Sequence, residues 1–77
     1  MNKTFSDSGK QILKELLAQC TEGQQEKFKL MYGRNNGERS IEDAKIMDIN
    51  TCVDEIDETK INRAITQCER TVEKNNV

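Results

Sequence analysis

Seventy-seven residues, 34% of them apolar and 4% aromatic, allow one domain with a thin core. Twelve basic and fourteen acidic side chains nearly cancel to a net charge of −2, so the chain as a whole is not drawn to nucleic acid. Histidine, proline and tryptophan are absent, which removes the usual proton shuttle and the commonest metal ligand.

The three cysteines, Cys20, Cys52 and Cys68, lack the close spacing of a metal site and the even number of a disulfide framework. The N-terminal MNKTFSDSGK has no apolar stretch of the signal-peptide kind. No run approaches the ~18 apolar residues of a membrane span. The expectation is a cytoplasmic protein with reduced thiols, no cofactor and no metal, and no membrane contact.

In chain order, the first element is a helix. Ile12, Leu13, Leu16, Leu17 and Cys20 fall at i, i+1, i+4, i+5 and i+8, a continuous apolar stripe. Ser6 or Asp7 is placed to cap its start, which leaves about residues 1–5 flexible. Thr21 followed by Gln24 fits a capping box and opens a second helix to about Tyr32, with Phe28, Met31 and Leu30 on its inner side. Gly33 stands where a left-handed C-cap is wanted. The short join predicts an antiparallel helical hairpin.

Gly33 to Arg39, GRNNGER, reads as a loop. The next stretch has two readings. Ser40 and Asp43 could open one helix from Ile41 to Ile56. Alternatively, Asp48 caps a shorter helix whose stripe is Ile49, Cys52, Val53 and Ile56. The second is favoured, because those positions form a clean i, i+3, i+4, i+7 set. Ile41 to Met47 is then a packed turn or a separate helical turn. Asp57 caps a last helix with Ile61, Ala64, Ile65, Cys68 and Val72 on one face, fraying near Lys74 with 75–77 disordered. The predicted fold is all-α, a single domain over 1–77. It is a small bundle of about four helices: the hairpin, a short third helix, and a longer C-terminal helix packed across it. So thin a core predicts a homo-oligomer.

Four features bear on function. Each cysteine continues an apolar stripe, and with no histidine to lower its pKa it reads as a small buried hydrophobe. The carboxylates Glu42, Asp43, Asp54, Glu55, Asp57 and Glu58 lie around helix ends without the spacing of a calcium loop. The stretch from Lys27 to Arg39 sets four basic residues against Glu38, with the only tyrosine beside Gly33. There Lys29, Tyr32, Arg34 and Arg39 are the candidate binding residues, arginine pairing a phosphate while tyrosine stacks on a base. The alternative is that basic residues suit a helix C-terminus and Tyr32 packs on the core. Finally, Ile12, Leu13, Leu16 and Leu17 are a candidate interface, half core and half oligomer contact.

Phe28-Lys29-Leu30-Met31-Tyr32 before a polar loop, and Lys60-Ile61-Asn62-Arg63-Ala64-Ile65-Thr66-Gln67-Cys68-Glu69-Arg70-Thr71-Val72, resemble segments of small uncharacterised proteins encoded by tailed bacteriophages. The resemblance covers about Phe28 to Lys74. It departs at Asp57, where a proline is common, and in the longer loop after Tyr32. It implies a phage accessory protein that binds host or defence components, and it transfers no catalytic residue. The expected function is non-enzymatic: inhibition or redirection of a host protein by protein–protein contact. The alternative is a homo-oligomer that sequesters a nucleotide or nucleic-acid strand through the loop from Tyr32 to Arg39.

Overall fold

With no proline in the chain, the helices are punctuated by side-chain caps. The Thr21 hydroxyl accepts from the Gln24 amide N–H at 3.2 Å, and the Gln24 side chain accepts from the Thr21 N–H at 2.9 Å, completing the capping box. Ser40 accepts from Asp43 N–H at 3.1 Å, and Asp48 from Asn50 and Thr51 N–H at 3.0 and 3.3 Å. Asp57 accepts from the Thr59 N–H and hydroxyl, both at 3.0 Å. Each such acceptor satisfies a backbone donor that a helix start leaves unpaired.

The computed structural model describes residues 2–35 and 37–76, with side chains from Ser8 onward. The regular elements among these are all helical: α1 (Asn2–Ala18), α2 (Glu22–Tyr32), α3 (Ile41–Ile46), α4 (Ile49–Asp54), a 3-10 turn (Glu58–Lys60) and α5 (Ile61–Asn75). Of the two readings of Ile41 to Ile56, the favoured one holds, except that the helix capped by Asp48 ends at Asp54 and Ile56 follows it. Met47 and Asp48 adopt extended dihedrals, with ψ of 152° and 138°, so Ile41–Ile46 is a separate short helix and Asp48 caps the next.

Three local expectations are corrected. Helix α1 starts at Asn2, upstream of Ser6 and Asp7 and within the end expected to be flexible. A cap preference of about 1 kcal/mol does not stop a helix already propagating through residues that tolerate it. Gly33 is right-handed (φ −83°), and positive φ occurs instead at Asn35 (49°) and Gly37 (89°). The demand for glycine at 33 is steric: a Cβ there would lie 2.5 Å from Lys29 O and 2.9 Å from Met47 Sδ. Helix α5 continues past Lys74 to Asn75, whose side chain is bonded to Gln24. Residue 77 and Met1 lie outside the described residues.

The principal packing differs from a simple hairpin. Helix α1 lies along α5 and touches α4, while α2 packs on α3 and α4. Gly9 permits the α1–α5 approach, since a Cβ there would come within 2.7 Å of Ile61. Leu13, Leu17, Phe28, Cys52, Val53, Ile56, Ile61, Ala64 and Cys68 form the core. The body is a slab of 35 × 33 × 16 Å, which accommodates about two layers of helices. Hence the core is one sheet of side chains thick.

Candidate functional site

The basic loop is largely committed to holding the fold. Lys29 Nζ donates to the carbonyls of Lys45 (2.7 Å) and Met47 (3.2 Å), capping the C-terminal end of α3. Arg39 donates to Gly33 O at 2.5 Å, reaches Met47 Sδ at 3.3 Å and pairs with Glu55 at 3.1 Å. Arg34 Nε donates to Arg39 O at 3.1 Å. The Tyr32 ring packs on Phe28 with centroids 4.8 Å apart, and its hydroxyl donates to Gln67 Oε1 at 2.7 Å. Of the four expected binding residues, Tyr32 and Arg34 alone share a cleft, of about 220 Å³, and Glu55 and Asp57 line it too. Lys60 lines it as well, so two carboxylates offset two cations and the cleft has no net pull on a phosphate. Lys29 and Arg39 serve internal carbonyls and the Glu55 carboxylate instead.

A different site lies between α2 and α5. The helices run antiparallel and stand apart, joined at two rungs. Tyr32 bonds Gln67 at one end; at the other, Gln24 Nε2 donates to Asn75 Oδ1 (3.1 Å) and Asn75 Nδ2 donates to Gln24 Oε1 (2.8 Å). The rungs are eight residues apart on each helix (24 to 32 and 67 to 75), roughly 12 Å of rise. Between them is a slot of about 270 Å³. Phe28 and Cys68 form its buried floor, Lys27 and Arg70 its rim. Met31, expected to face inward, stands at the mouth and is 52% exposed, because Phe28 and Tyr32, one turn apart, take the inner face of α2. Arg63 lies near the Tyr32 phenol and favours its ionised form, but burial outweighs it and raises the phenol pKa. Among the described residues, no ion pair engages Lys27, Arg63 or Arg70.

The opposite flank of α5 is acidic. Leu16, Glu69, Val72, Glu73 and Asn76 line a shallow groove of about 540 Å³ beside α1. Of the helix-1 stripe proposed as an interface, Leu13 and Leu17 are 0 and 2% exposed and belong to the core. Ile12, 44% exposed, and the half-buried Leu16 remain on the surface, one turn apart.

The remaining candidates are structural. Burial pushes the thiols of Cys52 and Cys68 up to about 11, aided by Glu55 for the first and Cys20 for the second. Burial likewise raises Cys20, whose thiol donates to Leu16 O at 3.4 Å. Such thiols are poor nucleophiles. Asp54 pairs with Lys14 at 2.9 Å, and Lys10 donates to the Asp54 carbonyl at 2.9 Å, tying α1 to the end of α4. Among the described residues, no three cysteine or carboxylate side chains gather to hold a metal ion, and no helix is long and apolar enough to cross a membrane.

Residue-by-residue reading missed the slot because its parts come from two segments far apart in the chain. The available signal was the row of Arg63, Gln67, Arg70 and Lys74 along one flank of the last helix, opposite Glu69 and Glu73. No protein-family model, curated protein or solved structure matches this chain.

Proposed function

We propose that this chain is a non-enzymatic binding protein of the phage-accessory kind, which inhibits or redirects a host or defence protein by holding it across the α2–α5 slot. The observation that carries this reading is the slot: a buried apolar floor, an exposed Met31 and a basic rim with no internal partner among the described residues. Two helices held apart by polar rungs offer a groove for an amphipathic segment. Covering the exposed half of Met31 is worth roughly 0.8–1.5 kcal/mol, about half the value of burying a whole side chain. The sequestering alternative loses Lys29 and Arg39 to structural bonds and is left with a cleft in which Glu55 and Asp57 offset Arg34 and Lys60.

A photo-crosslinking residue at position 31 tests the proposal in bacterial cells, with the same residue at Ile46, 82% exposed on α3, as the control. The expected result is one discrete adduct with a host protein from position 31 and none from position 46. Equal labelling from both positions, or adducts of this chain with itself alone, would overturn it.

A further inference from the structure

Helix α5 divides two grooves of opposite charge. On its α2 side the apolar floor of Phe28 and Cys68 is rimmed by Lys27 and Arg70. On its α1 side Leu16 and Val72 are rimmed by Glu69 and Glu73, with the exposed Ile12 one turn before Leu16. All four rim residues are exposed, and among the described residues none of them has an ion pair. The chain therefore carries both halves of a complementary contact on one molecule.

We infer that a second copy of this chain docks its Glu69–Glu73 flank, with the adjoining Ile12 and Leu16, into the Lys27–Arg70 slot. Glu69 and Glu73 are spaced one helical turn apart, roughly 6 Å, and fit within the two-turn length of the slot. Their carboxylates meet Lys27 and Arg70, while Ile12 and Leu16 supply the apolar surface that Met31, Phe28 and Cys68 lack. Opposite rims set register and orientation, and the covered apolar residues supply the driving force. Because the two surfaces differ, the contact is heterologous: copies add head to tail, closing into a ring only where the rotation allows. The inference rests on reading the slot as a docking site. It adds that the host target and a second copy exclude each other there.

Light scattering on a sizing column from micromolar to millimolar concentration tests it. Two variants are compared with the unaltered chain: Lys27→Glu with Arg70→Glu, and Glu69→Lys with Glu73→Lys. All four positions are exposed, so helical circular dichroism should be unchanged. The unaltered chain should gain mass with concentration and lose that gain in high salt. Each variant alone should remain monomeric, and mixing the two should restore association, since their reversed rims match. A chain that is monomeric throughout, or a variant that associates alone as the unaltered chain does, overturns the inference. A monomeric chain that still crosslinks a host protein from position 31 leaves the proposed function standing, which separates the two failures.

Discussion

Gln24 and Asn75 exchange two amide hydrogen bonds, at 3.1 and 2.8 Å, across 51 residues of sequence. The Gln24 oxygen also accepts from Thr21 N–H, so one side chain closes the cap of α2 and ties that helix to the end of α5. Gln24→Ala should lose both functions and cost about 1–2 kcal/mol in urea unfolding. Asn75→Ala keeps the capping box and should cost about 0.5 kcal/mol. Equal losses would show that the cap contributes nothing.

Two glycines should respond to alanine with opposite signs. At Gly33 the new methyl meets Lys29 O, Met47 Sδ and Cys52 Sγ at 2.5, 2.9 and 3.2 Å, and the first of these is backbone. Gly33→Ala should destabilise by about 1–3 kcal/mol. At Gly23, inside the first turn of α2, nothing lies within 4 Å. Gly23→Ala should stabilise by about 0.4–1 kcal/mol, chiefly by restricting the unfolded chain. Thermal melts of the two variants decide both signs.

Alkali should unfold the protein through its thiols. Cys52 and Cys68 hold their protons to about 11 in the folded state, above the ordinary thiol value near 9. Below that value both states are protonated and the contribution of burial is complete. As the pH rises the unfolded chain ionises first, so stability falls until the folded thiols titrate. A disulfide reagent at neutral pH should label the half-buried Cys20 first and reach Cys52 and Cys68 only on unfolding. Rapid labelling of all three would refute this order.

Arg39 should prove a structural residue that lysine cannot replace. Its fork reaches Gly33 O, Met47 Sδ and Glu55 at once, a geometry that a single ammonium does not reproduce. Arg39→Ala and Arg39→Lys should each lower stability by about 1–3 kcal/mol. If Arg39→Ala left the urea midpoint unchanged, these bonds would contribute no stability.

Local features were legible in the sequence where local chemistry decides them. The Thr21–Gln24 box and the Asp48 cap each depend on a few adjacent residues, and each is present; Cys52, Val53 and Ile56 are buried as their spacing implies, although the helix stops at Asp54, before Ile56. The split at Met47 followed from reading Asp48 as a cap rather than as one helical position among many. The partners of each helix were not legible. A short join suggested that α1 and α2 pack together, yet Gly9 and the stripe of α5 give α1 a closer mate. The same limit applies to the site: a lysine counted as a ligand donor turns out to cap a helix end 16 and 18 residues further along the chain, and only the tertiary fold shows that Lys29 reaches Lys45 and Met47.

The pairing of α1 with α5 also sets an order of events for folding. All of α2, α3 and α4 lies between these helices, so the apolar stripe of α1 finds its principal mate only after the rest of the described chain has been synthesised. Until then Leu13 and Leu17 have no complete surface to bury against. For a helical protein this is a non-local closure, which slows the search and delays cooperative gain to its last step. A nascent chain lacking α5 would therefore expose the Leu13 and Leu17 stripe of α1 to other proteins in the cell, and folding should begin in earnest only once α5 is free to join it.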